Sequence, residues 1–177
     1  MTMSQRGISE TLKYGILAGA AGGVAEVVWV SLHAAITGGD AAILARGVTT
    51  AAGITALLPA APVTMGIAVH MALAALLGIA LAGLWQTLSP RAYGAGGRYI
   101  VVLAALVAVW AVNFFVILPA ISPAFALLIP YPVSLMSKLL FGLAAAETLR
   151  RCMVADVAVM PATLAVQAAD KKRYPAG

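Results

Sequence analysis

Charge is what this chain has least of. Asp, Glu, Lys and Arg make up 10% of its 177 residues, against 63% hydrophobic ones. A soluble domain carries about 25% charged residues, so the composition excludes a water-facing globular fold and implies an integral membrane protein. Cysteine is nearly missing too: a lone Cys152 excludes a disulfide framework within the chain and any Cys-x-x-Cys metal or redox motif. There is no Asn-x-Ser/Thr acceptor, phosphate-binding glycine loop, dinucleotide fingerprint, His-Glu-x-x-His or Gly-x-Ser-x-Gly signature. The expectation is a non-enzymatic protein with no catalytic residues, no metal and no cofactor.

What the chain does have is apolar length. Four windows of about 20 apolar residues, each enough to cross the hydrocarbon core, lie near 12–37, 62–87, 99–121 and 131–149. The expected fold is all-α: a four-transmembrane-helix bundle over 1–151, followed by a cytoplasmic tail over 152–177. The first apolar run continues through Val27 to Ile36 and is therefore read as a retained span rather than a cleaved leader. Asp40, after Gly38 and Gly39, suits a helix N-cap, and Ile43, Leu44, Val48 and Leu57 give the following stretch a loosely helical apolar pattern. The uncharged part of that stretch is too short to span, so it reads as an interfacial or re-entrant helix in the first outer loop.

The net charge of +5 is unevenly placed. Arg6, Lys13, Arg91, Arg98, Arg150, Arg151, Lys171, Lys172 and Arg173 fall in the N-terminal arm, the middle loop and the tail, whereas the first outer loop has only Arg46. The positive-inside rule then puts both termini in the cytoplasm of a bacterial inner membrane. Basic residues facing anionic headgroups account for the charge without nucleic acid; the expected partner is the lipid bilayer.

Five strongly polar side chains interrupt the apolar windows: Glu26, His33, His70, Asn113 and Lys138. From the helical rise, His33 lies about 6 Å below the outer end of its helix, Asn113, Lys138 and His70 about 9 to 12 Å, and Glu26 about 16 Å. All five occupy one half of the membrane, and the other half reads as an apolar plug. Intramembrane ionisable groups are functional candidates because each is costly unless partnered. Glu26 and Lys138 are expected to pair or share a proton, with Asn113, Ser134 and Ser137 filling the remaining hydrogen bonds. The bland alternative is a snorkelling Lys138 and a protonated Glu26.

His33 and His70 lie on consecutive helices joined outside and could face one another. Two such imidazoles suit haem iron or a proton relay, but a pair of hydrogen-bonded bundle histidines is the commoner arrangement. Ser134 four residues before Lys138 has the spacing of a serine–lysine dyad, yet helix–helix hydrogen bonding is the simpler role. Gly15, Gly19 and Gly23 form a small-residue ridge that lets helices approach closely in lipid, and is expected to serve a homo-oligomer or a larger membrane complex.

The apolar half argues against a passive channel, which needs a polar path throughout. The leading expectation is an accessory subunit with an outward-facing polar pocket formed by Glu26, His33, His70, Asn113, Ser134 and Lys138, binding a small ligand or docking into a complex. The alternatives are a proton-linked transporter of a small solute and a bis-histidine haem subunit.

Overall fold

The computed structural model describes residues 3–57, 59–88 and 90–173, with side chains described from residue 7 to residue 152 apart from 58, 89–92 and 95. Every described element is a helix: α1 (Met3–Thr37), α2 (Ala41–Ala51), α3 (Pro62–Thr87), α4 (Pro90–Val112), a π-helical turn (Asn113–Ile117), α5 (Leu118–Ile121), α6 (Pro123–Ala126) and α7 (Tyr131–Arg173). Four stretches are long and apolar enough to cross a membrane: Gly7–Thr37, Pro62–Thr87, Gly96–Ile121 and Tyr131–Cys152. The architecture is that of a multi-pass membrane protein, with α2 as the additional short apolar helix.

Local chemistry explains the breaks. α1 stops because Gly38 adopts φ +70°, and the Gly39 N–H closes back onto the Ala34 carbonyl at 2.8 Å, a closure that favours glycine. Asp40 then caps α2, accepting the Ala42 N–H at 2.8 Å. α3 begins on Pro62, whose missing N–H costs nothing in the first turn. Gly94, at φ +63°, breaks α4 ahead of its membrane stretch. The π turn is the work of Pro119: it has no N–H to give the Phe115 carbonyl, and its ring crowds that group. The helix widens there, and the Leu118 N–H reaches back five residues to Asn113.

Two boundaries differ from the sequence reading. α1 starts at Met3, ahead of the window at 12–37, and α7 continues past Leu149 to Arg173 as one helix. Gly7 falls within the first extension and Pro161 within the second, and neither ends its helix. How the side chains of the tail lie falls outside the described residues.

α1 is the hub, packed along much of its length against α3 and α7, while α4 leans on α7. α3 touches α4 and α7 only briefly. The glycine ridge explains the closeness of α1 and α3. A Cβ at Gly19 would strike the Ala74 carbonyl, one at Gly15 the Ile79 backbone, and one at Gly78 the backbone of Gly15 and Gly19. The ridge expected to dock a partner is therefore consumed within the chain, because α3 supplies small residues at the matching positions. α2 lies on the start of α3, where Gly66 meets the Ala45 carbonyl and the buried Thr49 hydroxyl donates to the Pro62 carbonyl at 2.6 Å.

A dry core fills the half of the bundle away from α2: Ala18, Leu81, Trp85, Leu106, Phe141 and Leu149 are all buried. A smaller aromatic core, Trp110 and Phe114 with Leu118 and Ala126, sits towards the α2 end.

Candidate functional site

Glu26 comes from the middle of α1, on the face that the glycines hold against α3 and α7. It is only 4% exposed, yet it is surrounded by polar partners. Lys138 of α7 brings Nζ to 2.7 Å from its Oε1, and Ser137 donates its hydroxyl to the same oxygen at 2.9 Å. From α3, His70 places Nε2 3.7 Å from Oε2 and 3.4 Å from the Gly23 carbonyl oxygen. A carbonyl only accepts, so this contact assigns the proton to Nε2. Three helices thus converge on one carboxylate. Lys138 is also held over the Phe141 ring, 5.5 Å from its centroid, and Gly22 leaves the space which that ring occupies.

This arrangement answers the cost of each charge. An ammonium and a carboxylate taken out of water each forfeit several kcal/mol of hydration, and attraction repays it only when the geometry is good and the leftover lone pairs are bonded. Here the pair is short and Ser137 takes a further lone pair of Glu26. The Lys138 and His70 side chains keep 20% and 27% of their surface exposed, so the cluster is sealed at the carboxylate and approachable from the two bases.

The remaining expected site residues divide. Ser134 is not part of the Glu26 cluster: it accepts the Trp110 indole N–H at 3.0 Å and donates to the Tyr131 carbonyl at 3.0 Å. It faces α4, and Ser137, three residues further on, faces α1 instead. Trp110 in turn meets Phe114, Phe115 and Tyr131 ring to ring. Asn113 opens the π turn and is half-buried; among the described residues its side chain makes no hydrogen bond. His33 is also half-buried, and no described contact joins its ring to His70 or Glu26, whereas its backbone carbonyl accepts the Thr37 hydroxyl at 2.8 Å. Among the described residues no three His, Cys, Asp or Glu side chains converge as a metal-binding group. A shallow apolar groove lies between α1 and α7, lined by Ala25, Val28, Trp29, Leu140, Leu143 and their neighbours.

A second ionic cluster, which the sequence reading overlooked, lies at the opposite end of the bundle. Glu147 accepts the Tyr99 hydroxyl at 2.5 Å, Arg150 through Nε and Nη2 at 2.8 and 2.7 Å, and Arg151 through Nε at 2.6 Å. Tyr99 meets Trp85 edge to face, and Arg98 lies 4.4 Å over the Trp85 ring while donating to the Trp85 carbonyl. The signal was available: Glu147 precedes Arg150 and Arg151 at the i+3 and i+4 spacings of helix ion pairs. Comparisons with protein-family models, with curated proteins and with solved structures find no match to this chain.

Proposed function

We propose that this protein is a non-enzymatic accessory protein of a bacterial inner membrane, with both termini cytoplasmic, whose Glu26–Lys138–His70 cluster is a polar site for a small ligand reached from the outer face. The observation that carries this reading is a single buried carboxylate bridged to bases from two other helices, both of which keep an exposed edge. A buried ion pair is a poor way to stabilise a bundle, since apolar residues of the same volume do as well or better. Its presence favours a role in binding or in holding a defined helix arrangement for a partner.

Gentle solubilisation of the native protein tests this. Co-purification of other subunits or of a small polar molecule, lost in Glu26→Gln together with Lys138→Met, supports the reading. A Soret band would replace it with the haem subunit. A protein that purifies alone and empty, and whose double variant behaves identically, would remove it.

One observation favours a second reading, proton-linked transport. His70 lies beside Glu26 where α3 and α7 barely touch, an arrangement suited to passing protons. Against it stands the dry core below, where Phe141, Ala145 and Leu149 are fully buried; transport would require that half to open. Uptake into liposomes driven by a pH gradient and abolished by His70→Ala distinguishes this from the accessory role.

A further inference from the structure

The basic end of the bundle and the apolar groove share one face of α7. Leu140, Leu143, Ala144, Glu147 and Arg151 are spaced by three and four residues, so they form a single stripe. The lower part of that stripe is the α7 wall of the groove. About 10 Å further along the helix it reaches the guanidinium pair held by Glu147. Arg150 spends Nε and Nη2 on Glu147 and Arg151 spends Nε. Arg150 also lies against the Tyr99 hydroxyl, whereas the Nη groups of Arg151 have no partner among the described residues; the two side chains are 46% and 75% exposed. Two arginines fixed side by side by one carboxylate, itself fixed by Tyr99, are organised in advance for a planar or tetrahedral oxyanion.

Charge complementarity points the same way. Among the described side chains, this end carries Lys13, Arg98, Arg150 and Arg151 against Glu10 and Glu147. The α2 end balances Arg46 against Asp40 at 2.8 Å. The groove offers no polar lining, since the one polar atom of its walls, the Trp29 indole N–H, is used on the Val133 carbonyl at 3.0 Å. A shallow apolar groove on the same helix face as exposed arginine donors about 10 Å further along, at a membrane boundary, fits one class of molecule. We propose that α1 and α7 hold an anionic phospholipid, its headgroup phosphate on Arg150 and Arg151 and an acyl chain along the Leu140–Leu143–Ala144 groove.

Native mass spectrometry of the full chain, with phosphatidylglycerol or phosphatidylcholine added to the micelles, tests this directly. Wild-type protein is expected to retain phosphatidylglycerol preferentially. Arg150→Gln or Arg151→Gln should each lower retention about five-fold, while Arg46→Gln at the other end should leave it unchanged. Replacing both arginines by lysine keeps the charge but loses the fork; a several-fold loss is expected, and wild-type retention would reduce the site to diffuse surface charge. Glycerol phosphate and dihexanoyl phosphatidylglycerol probe the groove on unaltered protein. Either one displacing the long-chain lipid at equal concentration would overturn the acyl-chain assignment. Equal retention of the two long-chain lipids by wild type would overturn the proposal whatever the variants do.

Discussion

Two carboxylates, Glu26 and Glu147, gather most of the ionic contacts of this protein, and they do so under opposite conditions. Glu26 is sealed between helices, bound by one lysine, one serine and one nearby histidine from two other elements. The Glu147 side chain is one-third exposed, and both of its arginines come from its own helix, three and four residues further on. In the first case the carboxylate is buried, so leaving it without its counter-charge is costly. In the second, solvent and salt screen the attraction. The lesson is that equally short ion pairs hold different things: Glu26 ties α1 to α7 and α3, whereas Glu147 chiefly organises a surface and reaches α4 only through Tyr99.

That contrast can be broken first at Lys138. Lys138→Met leaves Glu26 buried without its counter-charge and should cost about 3 to 5 kcal/mol in mixed-micelle unfolding followed by tryptophan fluorescence. Adding Glu26→Gln should recover most of that loss. A double variant as unstable as the single one would show that the two residues do not act as a pair. Next in size is the spacing that presents Glu26 to α3. Gly19→Ala drives a methyl group into the Ala74 carbonyl and should cost about 1 to 3 kcal/mol. Gly83→Ala, with open space around it, should stay within about 0.5 kcal/mol of wild type. A loss at Gly83 as large as that at Gly19 would show that close approach does not set the effect, since Gly→Ala by itself raises helix propensity.

At the exposed carboxylate the expected effect is smaller and of a different kind. Glu147→Gln should lower stability slightly at low ionic strength and scarcely at all in high salt, whereas the Lys138→Met loss should hardly respond to salt. Equal salt sensitivity would erase the distinction between the two clusters. The smallest effect concerns Asp40, whose carboxyl is held below the usual value of 3.8 by the Ala42 N–H and the Arg46 guanidinium. A depressed folded-state pKa contributes stability that is present above the ordinary carboxylate range and disappears as pH falls through the folded value. Hydrogen exchange over 41–51 should therefore accelerate on acidification below the ordinary carboxylate range, and the cap-less Asp40→Ala should show no such step.

Much of the fold was legible because lipid reduces the problem to length and punctuation. Pro62 marked the start of α3, Gly38 the end of α1 and Asp40 the cap of α2, each through a local rule that needs no neighbour. The Glu26–Lys138 contact was legible as chemistry, since no other buried opposite charges were available to satisfy one another. Ser134 and Ser137 were not separable in the same way: they differ by less than a turn, and only the positions of α1 and α4 around α7 decide which hydroxyl meets the carboxylate and which meets Trp110. The histidines illustrate the same limit, for their comparable depth said nothing about direction, and His70 turns to Gly23 and Glu26. Glu147 was passed over because a carboxylate next to two arginines at the end of an apolar window reads as a solvated boundary.

The residues alone determined that the chain crosses a membrane four times, where most spans begin and stop, and which side chains are too polar to face lipid without help. These follow from hydration and backbone hydrogen bonding, which act on each segment by itself. Tertiary packing decided that the glycine ridge is occupied by α3 rather than left for a partner, that Ser137 and not Ser134 serves Glu26, and that an apolar groove shares a face of α7 with paired arginines. Such outcomes depend on which helices become neighbours, and van der Waals fit between whole surfaces, not the character of any one segment, sets that choice in lipid.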